Sequence, residues 1–283
     1  MAAAGGRMQQ AAIRTFFPPE DIMQIGVSLL SSGSSGNCTV IHSGEQALLI
    51  DCGISFKQVK EAMAQSGLDP AWIKAIMITH EHSDHIGGLS VTSRHLGVPI
   101  YATQRTAAAI HRARPKEEFA AMTVISPCSD FSVAGFNVRA FPVQHDADDP
   151  MGYVVTKEST KIGVATDFGA PSQMTNFQLK DCNTLVLESN YDLNMLAAST
   201  RTWELKQRIL GPFGHLSNLD CAALLEKLLT EHTSNLLLAH ISAECNKYEL
   251  ALQAARQKLA AMQRQDVFLG CGRHRQPIPT VWC

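Results

Sequence analysis

The chain has 283 residues, 45% of them hydrophobic and 18% charged, with a formal charge of −2. This is the composition of an ordinary globular protein, one large domain or two small ones, and its charge gives no global case for a polyanionic partner, although a local patch can suffice. No apolar run reaches the roughly 18 residues of a membrane-spanning helix, and eight scattered cysteines with no CxxC pair read as the reduced thiols of a cytoplasmic protein.

Residues 1–22 lack the apolar centre of a signal peptide and read as a flexible leader, with Met23 opening the domain. The runs "VSLL", "CTVIH" and "ALLID" follow, short, apolar and bounded by Gly, Ser or Asp, as buried strands are. Ser55 caps a helix over "FKQVKEAMAQSG", with Phe56, Val59 and Met63 on one face and Gly67 at its end. The strand "IKAIMIT" leads into "HEHSDHIGG", where Gly87-Gly88 bends the chain into another helix. Beyond "VPIYA", Thr103 opens "QRTAAAIHRAR", which Pro115 stops. The strand runs "FNVRAFPV", "GYVVT", "KIGVAT" and "TLVLE" come next. Asn218 and Asp220 open a helix over "CAALLEKLLTEH", "NLLLAH" is a further strand, and Asn246 with Glu249 has the spacing of a capping box. Residues 271–283 read as an irregular, basic tail. Many early strands, interleaved helices and a later strand group fit an α/β or α+β layered fold.

The histidine-rich loop is the strongest signal. It leaves the end of a buried strand, where a rigid sheet supports a functional loop. In extended backbone His80 and His82 point the same way and can grip one ion together, while Asp84 and His85, just past a turn, suit a second ion beside the first. Imidazole with carboxylate is a zinc-type donor set. A zincin helix is excluded because the residue four after His80 is Asp84. One such loop cannot complete two sites, so further ligands belong at later strand ends, and His145, Asp167 and His240 each close a strand-like run. A lone histidine after a strand is more often a hydrogen-bonded structural residue; the shared placement of the three argues for a common centre.

"HEHSDH", His145, "ATDFG" and His240, with "LLIDCG" around Asp51, resemble the metallo-β-lactamase superfamily over about residues 23 to 245. The resemblance implies a four-layer αββα sandwich over residues 23–270 with a two-metal site at the sheet edges. By that likeness His80, His82 and His145 hold one ion, and Asp84, His85 and His240 the other. Asp167 bridges them, and Asp51 supports the site from behind. "SLLSSGSSGNCTVI", "RTWELKQRILGPFGHLSN" and "LLAHISAECN" are similar to the YycJ/VicX (WalJ) branch, whose members are described as nucleases, including 5′-to-3′ exonucleases on double-stranded DNA. The implied activity is a phosphodiesterase or nuclease, a DNA exonuclease, with Asp84 in the catalytic set and a hydroxide activated by two divalent ions, Zn²⁺ or alternatively Mn²⁺.

A leaving oxygen needs a proton, and His215 in "GHLSN" is the candidate donor, with Glu188 to orient and charge it; the plainer alternative is a helix cap and a structural hydrogen bond. Ser35 and Asn37, on a glycine-rich turn, are candidate phosphate contacts, or simply part of a hairpin. Arg201, Lys206 and Arg208, upstream of His215, are candidate contacts to a nucleic-acid backbone, although solvated helix faces carry such charges routinely. A small-molecule phosphodiester or thioester hydrolase on the same scaffold, and a metal-stabilised adaptor without turnover, are the competing readings.

Overall fold

The computed structural model describes residues 24–283; the expected leader and the expected start at Met23 lie outside the described residues. The first sheet contains β1 (Gly26–Ser31), β2 (Cys38–Ser43), β3 (Gln46–Ile50), β4 (Ile73–Met77), β5 (Ile100–Thr103) and β6 (Met122–Ile125), in that spatial order. The second contains β7 (Asp130–Val133), β8 (Phe136–Pro142), β9 (Met151–Lys157), β10 (Thr160–Ala165), β11 (Thr184–Glu188), β12 (Asn235–Ala239) and β13 (Phe268–Cys271), again as neighbours in sequence order. Both sheets change direction at the same point. β1 to β3 pair antiparallel and β3 to β6 parallel; β7 to β10 pair antiparallel and β10 to β13 parallel.

Parallel pairing requires crossovers, and helices supply them. α1 (Phe56–Gln65), α2 (Ser83–Ile86), α3 (Leu89–Leu96) and α4 (Gln104–Ala113) serve the first sheet; α5 (Gln173–Leu179), α6 (Leu193–Ala198), α7 (Trp203–Leu210), α8 (Asn218–Leu228) and α9 (Tyr248–Ala261) serve the second. Ile41, Leu48 and Met77 of one sheet meet Val138, Tyr153 and Val164 of the other. Val59, Met63 and Ile110 pack on the outer face of the first sheet around Leu49 and Ile76. Leu179, Leu225 and Leu259 do the same for the second around Leu185 and Leu238. The result is the four-layer αββα sandwich. Central strands are buried on both faces, which is why they read as continuous apolar runs rather than alternating ones.

Ser55 and Thr103 cap α1 and α4 as expected. At α8 the cap is Ser217, whose hydroxyl accepts from Asp220 N–H. Asn246 does not cap α9. Its amide donates to Ser189 O and Asn190 O, at 2.9 and 3.0 Å, so it ties two loops together instead.

Residues 271–283, expected to be irregular, include β14 (Val281–Trp282), which pairs antiparallel with β1 through Gly26↔Trp282 and Val27↔Val281. The reason is the open edge of β1, whose backbone groups would otherwise lack partners. Among the described residues no helix is long and apolar enough to cross a membrane.

Candidate metal centre

Every histidine and aspartate expected in the centre lies just past the C-terminal end of a strand: Asp51 after β3, the histidine-rich loop after β4, His145 after β8, Asp167 after β10 and His240 after β12. β3 and β10 are the strands at which pairing changes from antiparallel to parallel, and the C-terminal ends of β4, β8 and β12 lie at the same margin of their sheets. Asp51, Asp167 and His240 hold left-handed backbone, at φ 62°, 57° and 54°. Non-glycine residues occupy that region only where their surroundings enforce it. Here the enforcement is visible. Asp51 N–H donates to Met77 O, Met151 N–H to Thr79 O at 3.0 Å, Tyr153 Oη–H to Ile78 O at 2.7 Å, and His240 N–H to Ser32 Oγ at 2.7 Å. The last three tie the ligand-bearing ends of the two sheets to each other.

The side chains converge as two trios. The rings of His80, His82 and His145 lie 4.5–5.1 Å apart, centre to centre, and Asp84, His85 and His240 form a second group with donor atoms within 4.8 Å of one another. Asp84 Oδ2 is 3.3 Å from His240 Nε2 and 3.5 Å from His85 Nε2. Asp167 lies between the trios: its Oδ2 is 3.1 Å from His85 Nε2, and its Oδ1 is 3.3 Å from His240 Nδ1 and 3.8 Å from His145 Nε2.

The outer nitrogen of four rings is already engaged. His85 Nδ1 donates to Asp51 Oδ2 at 2.7 Å, His145 Nδ1 to Gly214 O at 3.2 Å, and His240 Nδ1 to Glu188 Oε1 at 2.7 Å, while His80 Nδ1 meets Thr79 Oγ1 at 3.0 Å. Each arrangement turns Nε2 inward, the orientation by which neighbours fix a metal-binding imidazole. Two inward atoms are buried without a well-aligned hydrogen bond, His80 Nε2 and Asp167 Oδ2, the second with only the His85 ring beside it, a costly condition that a cation would relieve.

The electrostatics agree. Asp51, Asp84, Asp167 and Glu188 crowd together, and all their ion-pair partners are histidines. Burial pushes His80 and His145 below the usual imidazole range, keeping them neutral as ligands must be. Burial would do the same to His85 and His240, but Asp51 with Asp167, and Asp167 with Asp84, raise them well above it. Burial would also raise the Asp84 and Asp167 carboxyls, yet His85 and His240 hold both down. So much paired charge is a surplus of carboxylate for which cations compete with protons. These donors fit a pair of divalent metal ions.

Glu188 is fully buried and saturated. It accepts from Phe168 N and Leu216 N through Oε2 and from His215 and His240 through Oε1, although its donor atom also lies within 4.8 Å of those of Asp167, His215 and His240. His215 Nδ1 lies 2.8 Å from Glu188 Oε1, and this carboxylate raises its pKa against the opposing effect of burial. His215 lines a cleft of about 150 Å³ together with His82, His145, Asp146, Arg201 and Arg208.

Arg201 and Arg208 are thus brought to the site, each partly neutralised: Arg201 by Glu244 at 3.1 Å, Arg208 by Asp146. Lys206 is not. Its ammonium donates to Ala197 O and Ser199 O, at 2.7 and 2.8 Å, satisfying carbonyls at the end of α6. Ser35 is exposed and pairs with His274 at 3.1 Å, whereas Asn37 reaches the floor of the centre, its amide 3.2 Å from Asp84 Oδ2 and 3.1 Å from His85 Nε2. Thr79 and Asp146 were not anticipated. Thr79 donates to Asp51 through both N–H and hydroxyl, and Asp146 Oδ1 lies 3.3 Å from His145 Nε2. The acidic run after His145 was a legible signal for Asp146; nothing in the spacing marks Thr79.

Residues 46–241 match the family model for the beta-lactamase superfamily domain. An exodeoxyribonuclease YycJ of Bacillus anthracis is 34% identical over 237 residues, spanning 84% of this chain and 90% of that protein. An exodeoxyribonuclease WalJ of Streptococcus pneumoniae is 34% identical over 226 residues, 79% of this chain and 84% of that one. Among solved structures, the metallo-beta-lactamase fold protein YhfI from Bacillus subtilis shares the fold, with a TM-score of 0.68 at 14% identity over 91% of this chain and 99% of that one.

Proposed function

Because the chain belongs to the β-lactamase superfamily, and matches curated exodeoxyribonucleases over most of its length, we propose that it is a metal-dependent nuclease that removes nucleotides from an end of DNA. The observation that carries this reading is the convergence of two ligand trios on Asp167, with His80 Nε2 turned inward, buried and without a hydrogen-bond partner. His80, His82 and His145 would hold one ion, and Asp84, His85 and His240 the other, with Asp167 shared. Imidazole-rich donors favour zinc, and the carboxylates also suit manganese. Such a pair supplies Lewis acidity, an acidified water and neutralisation of the charge that develops on a phosphodiester during in-line displacement.

The chain's own groups do the remaining work. Asp51, Glu188 and Gly214 O fix three rings in the tautomer that frees Nε2. His215, held at Nδ1 by Glu188, has Nε2 left to deliver a proton to the departing oxygen. Arg201 and Arg208 line the approach and suit phosphates. The eight cysteines are free thiols, which supports a reducing, cytoplasmic setting.

Purified protein incubated with end-labelled duplex DNA, single strands and RNA, with Zn²⁺ or Mn²⁺ added, should release nucleotides from DNA ends. Hydrolysis of an acyl-glutathione thioester, with DNA and bis-p-nitrophenyl phosphate left intact, would overturn the reading. The His215→Ala variant should keep its metal content and lose about 10²- to 10⁴-fold in turnover; unchanged turnover would remove His215 from the mechanism.

A further inference from the structure

The chain between β11 and α8 forms one wall of the cleft and ends in the turn Gly211-Pro212-Phe213-Gly214. That turn is held from several sides. Gly214 N–H donates to Gly211 O at 2.9 Å, His215 N–H to Ile209 O at 3.1 Å and Asp146 N–H to Phe213 O at 3.2 Å. Gly214 O in turn receives His145 Nδ1. Backbones touch here: a Cβ on Gly214 would lie 2.2 Å from Ile209 O, and one on Gly169 would lie 2.3 Å from Gly211 O. Yet the side chain on this fixed turn is a phenyl ring, and Phe213 is 57% exposed. Leu205, also partly exposed, lines the cleft one helical turn from Arg208. Phe213 precedes Gly214, which lines the cleft, and its carbonyl accepts the N–H of Asp146, another lining residue, so its half-exposed ring is available to a partner beside the cleft.

The cleft itself limits what can enter. At about 150 Å³ it falls below the roughly 300–1,000 Å³ of pockets that enclose drug-sized ligands. A cleft of this size, lined by Arg201, Arg208, His82, His145 and His215, suits a phosphate group and does not enclose a base pair. We propose that Phe213 is the platform on which the base beside the scissile phosphate stacks, so that the enzyme acts on an unpaired terminal nucleotide. This specificity residue rests on the nuclease reading above. Aromatic stacking is sequence-tolerant because every base offers a π-face, so the platform selects for an open end and not for a sequence. A closed duplex end must fray first, and stacking on the ring offsets the opened pair.

The test compares oligonucleotides that carry either a normal or an abasic nucleotide at the cleaved end. Wild-type enzyme should lose roughly 5- to 150-fold in kcat/KM on the abasic substrate, the range of one stacked base. Phe213→Ala should show a similar loss on the normal substrate and no further loss on the abasic one, and Phe213→Trp should restore the difference. If Phe213→Ala does not fold, Phe213→Leu, which keeps apolar bulk without a ring, takes its place. Wild-type enzyme should also start faster on mismatched ends than on ends closed by G·C pairs. An abasic penalty equal in wild type and variant, or equal rates on open and closed ends, would overturn the platform while leaving the nuclease reading intact. Hydrolysis of bis-p-nitrophenyl phosphate with no cleavage of any oligonucleotide would overturn both.

Discussion

Asp51 shows how far the centre depends on side chains that would touch no cation. One carboxylate serves three donors, Thr79 N–H, Thr79 Oγ1–H and His85 Nδ1–H. Asp51→Asn keeps an oxygen for Thr79 but can set an amide N–H against the His85 N–H. The expected outcome is a 10- to 100-fold loss of metal affinity with a much smaller change in melting temperature, measured by competition with a chromogenic chelator. Affinity equal to wild type would show that the ring's tautomer does not depend on this residue. The candidate ligands were legible because four of them crowd one loop, His80, His82, Asp84 and His85, and the other three, His145, Asp167 and His240, each stand alone at the end of an apolar run. Thr79 was not, since a threonine after a strand is unremarked until its partner 28 residues away is in place. Asn37 looked like a phosphate contact because it sits on a glycine-rich turn; its amide instead faces Asp84, 47 residues on. Lys206 misled for a related reason, because a sequence records charge but not which carbonyls the charge will find.

Elements bring these residues together through close contact between backbones. Asn37 N–H donates to Asp84 O, Gly53 N–H to Asn37 O, Cys52 N–H to His85 O and Gly88 N–H to Cys52 O, all within 2.7–2.8 Å. Three loops are laced into one floor, leaving no room for side chains: a Cβ on Gly53 would sit 1.7 Å from Asp84 O, and one on Gly88 would sit 1.8 Å from Ile54 O. Gly53→Ala should therefore cost about 1–3 kcal/mol or more and displace Asp84, lowering metal content as well as the denaturation midpoint. A variant with wild-type stability and metal content would mean that the floor is softer than its contacts imply. The Gly87-Gly88 pair was read as permitting a bend, and Gly88 is better explained by this contact. The ten central strands were legible from their apolar runs. β6, β7 and β13 were not, because as edge strands they are only partly buried. β14, two residues long, exists only because β1 has an open side for it to pair with.

At the scale of the whole molecule the sandwich follows from strand burial, but its internal repetition does not show in the sequence. The two sheets share a direction switch without sharing a residue pattern, so topology emerges only from which strands pair. Each cation bound to the folded centre and not to the unfolded chain should stabilise it by about 2.7 kcal/mol at a hundredfold excess over Kd. Chelation should thus lower the melting temperature by roughly 5–10 °C for each ion removed, and Zn²⁺ or Mn²⁺ should restore it. A melting curve indifferent to chelator would count against a metal centre.

Each trio takes two members from the loop after β4 and its third from the opposite sheet, His145 in one case and His240 in the other. An ion seated in either trio is therefore a rivet driven through both leaves of the sandwich at one margin. Stripped of its rivets, the molecule resembles an unclasped book: the spine of packed side chains still holds, but the pages can part at the margin where the chemistry is written.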